Sequence, residues 1–190
     1  MNVKEGTFRI GPEDGRMVVR TRRRGMGAMA GHDLTIEAAR WEGTVQMAEG
    51  RLSRVELTVD ARSLEVREGT GGAKPLTDKD RSEIKGNIEG RVLDASRHPQ
   101  IRFSSTEARG ATEEEERATA TLVGDLDLAG HSRTISVPVE LESSGPGALR
   151  AHASATIRQS EWGIKPYTAF LGALKVADDV EVDVVTMLRS

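Results

Sequence analysis

The chain has 190 residues, enough for one domain, 1–190, that buries a proper core or surrounds a cavity. Its 37% hydrophobic and 30% charged residues are ordinary for a soluble globular protein, and a net charge of −3 supplies no global basic field, which excludes nucleic acid as the expected partner. With no cysteine there is no disulfide and no thiolate metal site. The amino-terminal MNVKEGTFRIGPEDG has no apolar leader core and no later stretch reaches spanning length, so the expected location is the cytoplasm.

Strand patterns begin at once. TFRI sets Phe8 and Ile10 on one face, and RMVVRT follows a Gly-Pro turn. The glycines of RGMGAMAGHD resemble a nucleotide loop, but they precede a strand pattern where a phosphate-binding loop needs a helix. RVELTVDARSLEV keeps Val55, Leu57, Val59 and Ala61 in step. The rhythm then changes: TDKDRSEIKGNIEGRVLDASR opens with a Thr-x-x-Asp capping pattern and spaces Ile84, Ile88 and Val92 four apart. This predicts a helix over about 77–97, weakened by Gly86 and Gly90 and stopped by His98-Pro99.

Alternation resumes in QIRFSS (Ile101, Phe103) and TATLVGDLDL (Leu122, Leu126, Leu128). The acidic run Glu113–Glu116 between them reads as a solvated hairpin tip. TISVPVEL sets Ile135, Val137, Val139 and Leu141 on one face, and VEVDVVTML closes the chain in the same way. EWGIKPYTAFLGALKV, punctuated by Gly163, Pro166 and Gly172, reads as a loop or short helical turn folded over one end of the sheet. ALRAHASATI alternates most strictly, yet three of its five dry-face residues are alanines, Ala151, Ala153 and Ala155. Alanine is a poor strand former with little area to bury, so either a bulky element fills the space beside it or the space stays open. Sequential strands with short connections make this an all-β, antiparallel chain, a barrel or sandwich, with one flanking α-helix.

GHDLTIEAARWEG, SLEV, RHPQIRFSST, GDLDLAGHSRTISVPVEL, IRQSEWGIKPY and VADDVEVDV, in this order, resemble the YceI-like family over about Phe8 to Val185. The resemblance implies a lipocalin-like β-barrel whose elongated apolar pore holds a polyisoprenoid or isoprenoid quinone. It departs from better-known members in having no secretory leader and only 3% aromatic residues.

On that reading the candidates for the lumen are Val55, Leu57, Phe103, Leu126, Leu128, Ile135 and Val137, with Ala151, Ala153 and Ala155 widening it along one strand. The same residues would face inward in a filled core, so apolarity leaves both readings open. Trp41 and Trp162 beside glycine-rich turns are rim candidates, with plain packing the competing role. Phe170 and Leu174 join them from the apolar cluster near the carboxyl terminus. Arg22, Arg23 and Arg24, ahead of the GMGAMAG loop, are candidates for an anionic head group or a transient membrane-surface contact, against the alternative of a solvated loop.

The four histidines, His32, His98, His131 and His152, show no metal-ligand spacing, and no serine elbow or cysteine nucleophile is present. No cofactor, metal site or catalytic residue is therefore expected. The expected function is non-catalytic carriage or sequestration of a long apolar lipid. The alternative is an enzyme or stress-response protein acting on a smaller hydrophobic substrate, with His32 and Asp33 near the barrel mouth. An exposed strand edge or apolar mouth would also suit a homodimer.

Overall fold

The computed structural model describes residues 5–113 and 116–189, so the acidic residues Glu114 and Glu115 of the expected hairpin tip lie outside the described residues. The chain runs through β1 (Gly6–Ile10), β2 (Gly15–Thr21), β3 (Arg23–Arg24), β4 (Asp33–Ala38), β5 (Trp41–Ala48), β6 (Arg51–Asp60) and β7 (Leu64–Thr70). After the helix α1 (Asp78–Asn87) come β8 (Gln100–Glu113), β9 (Arg117–Leu128), β10 (His131–Ser143), β11 (Ala148–Arg158), β12 (Thr168–Ala169), β13 (Leu174–Val176) and β14 (Asp179–Arg189). Among the described residues no helix is long and apolar enough to cross a membrane.

Eleven strands form one antiparallel, strongly curled sheet in the order β1-β5-β6-β8-β9-β10-β11-β14-β2-β4-β7. Because β1 leads directly into β2 through the tight turn 11–14, the chain itself ties one end of that order back to its interior. The tie is close: a Cβ on Gly15 would sit 2.0 Å from the Val185 carbonyl oxygen, so the paired β14 backbone tolerates only glycine there. Alternation with period two then sorts the side chains. In β14, Val182 and Val184 face inward, while Glu181 and Asp183 stay outside with Arg22 and Arg20.

Two irregularities shape the wall. In β6, Arg54 pairs with Gln46 and Leu52 with Met47, leaving Ser53 as the extra residue of a bulge; Leu52 and Val55, three apart, are thus both buried. In β10, Pro138 has no N–H to give, and it stands where the β11 ladder ends: β10 pairs with β11 only from Val139 to Ser143. Above Pro138 the two strands part. The short helical turn Gln159–Trp162 bridges them, Arg133 donating to the Glu161 carbonyl and the Trp162 indole N–H to the Leu126 carbonyl at 3.0 Å.

The predicted helix is present, but its regular part ends early. The Thr77 hydroxyl accepts from the Asp80 N–H and the Asp80 carboxylate accepts from the Thr77 N–H, a complete capping box. From Ile88 to Val92, around Gly90, the helix widens into a π-turn. Arg81 donates to the carbonyls of Val66 and Arg67 at 3.2 and 2.6 Å, so the helix covers the otherwise open edge of β7. A second, three-stranded sheet, β12-β13-β3, caps the end of the barrel where β2 emerges.

Candidate functional site

The inward faces of the curled sheet enclose a cavity of about 270 Å³. Its wall is built as alternation dictates: Val55 and Leu57 come from β6, Phe103 from β8, Leu126 and Leu128 from β9, and Ile135 and Val137 from β10. Ala151, Ala153 and Ala155 of β11 complete this side; they are half-buried, pack against the core cluster and line the cavity. Their ladder partners on β14 are Thr186, Val184 and Val182, which keeps the wall low and smooth. The helical segment contributes as well, with Ile88, Val92 and Leu93 lining the cavity.

Other candidates stand elsewhere. Trp162 and Trp41 are buried in the packed core, 1% and 5% exposed, and neither lines the cavity. Phe170 is 67% exposed, and Leu174 lies half-buried in the small sheet, over Gly31. Arg22 is bound to Glu181 at 2.7 Å, and the Arg23 guanidinium donates to the Gly31 carbonyl at 3.0 Å, so both hold the loop together. Arg24 is exposed in β3.

His32 and Asp33 sit at this same end but are committed to backbone. The His32 Nε2–H donates to the Lys74 carbonyl at 2.7 Å, and Asp33 accepts from the Arg23 N–H at 2.8 Å. His152 lies on the outer face, 3.5 Å from Asp183. Among the described residues no group of three or more His, Asp or Glu is placed to hold a metal ion.

Among the described residues no ionisable side chain lines the cavity, and the polar side chains that do are Thr21, Ser154, Gln159 and Thr186. The Thr21 and Thr186 hydroxyls are buried without a hydrogen-bond partner, and Gln159 spends its amide N–H on the Ala177 carbonyl at 2.9 Å. These polar points were readable in principle: Thr21 falls in step with Met17 and Val19, and Thr186 with Val182 and Val184. An apolar wall of this kind can hold and shield a hydrophobic chain.

The sequence profile of the YceI-like domain matches residues 9–188 of this chain. The chain belongs to the YceI-like family. Solved structures agree on the fold of this YceI-like domain. A polyisoprenoid-binding domain from Saccharophagus degradans superposes with a TM-score of 0.66 at 12% identity, covering 98% of this chain and 99% of its own. BcnA of Burkholderia cenocepacia gives 0.64 at 17% identity over 90% and 95%. The YceI protein of Campylobacter jejuni gives 0.60 at 12% identity over 82% and 84%. A search of the curated proteins finds no match.

Proposed function

We propose that this YceI-like protein binds and carries, or sequesters, one long apolar isoprenoid lipid, a polyisoprenoid or an isoprenoid quinone, and performs no chemistry on it. The observation that carries the reading is the lining of the cavity, predominantly apolar and, among the described residues, without an ionisable side chain. The ten wall residues named from the sequence, from Val55 to Ala155, are its contact surface. The alanines of β11 set its width, since each small side chain leaves room for a chain methyl. Support comes also from the polyisoprenoid-binding domain of Saccharophagus degradans, which shares the fold.

Of the three arginines, Arg24 is the one whose side chain is left for an anionic head group, because Arg22 and Arg23 are engaged with Glu181 and with loop carbonyls. The enzyme alternative gains nothing from His32 and Asp33, whose polar atoms face backbone partners and whose side chains do not reach the cavity. Organic extraction of the purified protein followed by mass spectrometry tests the proposal. A co-purifying isoprenoid is expected. An extract free of lipid, together with no binding of added ubiquinone or polyprenyl phosphate, would overturn it.

A further inference from the structure

Apolar side chains exposed on a monomer are ordinary when scattered, and informative when clustered. Four large ones, Met26, Met29, Phe170 and Leu171, are 99%, 79%, 67% and 110% exposed, and all belong to the loops around the small sheet. Those loops are held together by backbone: the Gly27 N–H donates to the Ala173 carbonyl at 2.9 Å, the Ala73 N–H to the Met29 carbonyl at 3.2 Å, and β3 pairs with β13. Phe170 and Leu171 stand at φ 50° and 54°, the left-handed region, which side chains of this kind rarely adopt. A strained backbone that turns two large apolar side chains into water is a costly arrangement without a partner.

The charge of the same loops is one-sided. Segments 22–32, 71–77 and 162–177 contain Arg22, Arg23, Arg24, Lys74, Lys165 and Lys175 and not one Asp or Glu, in a chain whose net charge is −3. Arg24, Lys74, Lys165 and Lys175 are exposed. Of the acids that flank these segments, Asp33 and Asp178 accept from the N–H groups of Arg23 and Ser160 at 2.8 Å each, Glu161 lies 4.0 Å from Arg158, and Asp78 is exposed at the start of α1. Apolar tips ringed by exposed cations match the interface of an anionic bilayer, where side chains such as Phe and Leu enter the acyl boundary and Lys and Arg meet the head groups. The position fits too, because Thr21, Gln159 and Ile164, which border these loops, line the near end of the cavity.

We propose that this end of the barrel docks on an anionic lipid bilayer, with Met26, Met29, Phe170 and Leu171 inserted and Arg24, Lys74, Lys165 and Lys175 at the head groups. The surface adds a partner to the carrier reading, and rests on that reading only for the purpose of docking. Co-sedimentation of the full chain with vesicles of equal parts phosphatidylcholine and phosphatidylglycerol, and with phosphatidylcholine vesicles alone, tests it. Binding to the anionic vesicles, weakened by salt and by omitting phosphatidylglycerol, is expected.

The pair F170N and L171N removes the apolar tips at positions whose backbone suits asparagine, so the fold is kept while partitioning falls by at least about tenfold. M26S with M29S, on the other loop, gives a second variant with the same expected direction. Wild type that stays in the supernatant, equal binding to both vesicle types, or variants that bind like wild type would overturn the proposal. So would a wild-type dimer in sedimentation velocity that F170N and L171N abolish with no vesicle binding, since the surface would then serve a second copy of the chain. Vesicle binding is read without any lumen ligand, so its failure and a lipid-free extract are separate results.

Discussion

Replacing Ala153 by tryptophan separates a wall that faces open space from a wall that faces packed side chains. Ala153 is half-buried on β11 between Val139 and Val184, and its Cβ points into the cavity of about 270 Å³. An indole there covers on the order of 150–250 Å² of apolar surface, and it occupies room that a bound chain needs. The delipidated variant should therefore melt within a few degrees of delipidated wild type and lose most of its capacity for an isoprenoid chain. Had the position been close-packed, overpacking at roughly 1–3 kcal/mol would lower the midpoint of a chain this size by roughly 2–12 °C. Thermal unfolding of ligand-free protein is the assay, since bound lipid itself raises the midpoint, with Thr156→Trp, exposed on the same strand and outside the cavity lining, as the control. A fall of about 10 °C with lipid uptake unchanged would refute the reasoning.

Three further outcomes follow from the same geometry. Ile88→Asp places a carboxylate in the apolar wall beneath the π-turn, and should cost roughly 3 kcal/mol; an unchanged melting curve would show that the stripe is not packed on the sheet. Arg91, whose guanidinium lies 5.2 Å from the centroid of the Tyr167 ring, ties the π-turn, whose Ile88 and Val92 line the cavity, to the loop after Trp162. Removing it in Arg91→Ala gives up about 0.5–1 kcal/mol, so release of a fluorescent prenyl lipid should quicken by roughly twofold to fivefold, and an unaltered rate in stopped flow places the exit elsewhere. Asp60 is held below the usual carboxylate range chiefly by its hydrogen bonds from Arg40 and then by the Arg62 N–H. Its stabilisation is therefore present above the unfolded value near 4 and lost as pH falls through the lower folded one. Asp60→Asn should cost under about 1 kcal/mol at neutral pH, because the pair is largely exposed, and nothing in strong acid; a pH-independent difference would assign the loss to packing.

Strands and their inward faces were legible because period two is a local property: Leu126 and Leu128, or Ile135 and Val137, carry their orientation in the sequence itself. The bulge at Ser53 was not, since it appears only when β6 is laid against β5. Whether the alanines of β11 face a void depends on residues opposite them across the lumen, a long-range fact that no alternation encodes. The choice between rim and packing for the tryptophans was open for a related reason, and both rings are buried in the core. A glycine beside Trp162 permits a turn, but the ring goes where a free carbonyl and apolar walls await it, and these are supplied by β9. Phe170 shows the opposite case, because an apolar cluster in sequence ordinarily seeks the interior and here this ring is turned outward. Family resemblance reached the fold as a whole where local pattern stopped at barrel or sandwich.

The helix that leads into the cavity-lining π-turn also occupies a strand edge, through Arg81 on the carbonyls of Val66 and Arg67. Lifting the whole helix to let a ligand through would bare β7 as a template for pairing with another molecule, the route by which sheet proteins aggregate. The two duties fall on different parts of it. Arg81 sits in the first turns, whereas the cavity contacts begin at Ile88, where the π-turn starts. The cavity wall and the guarded edge are therefore held by different stretches of one segment, Ile88–Leu93 and Arg81, and a substitution in one need not disturb the other.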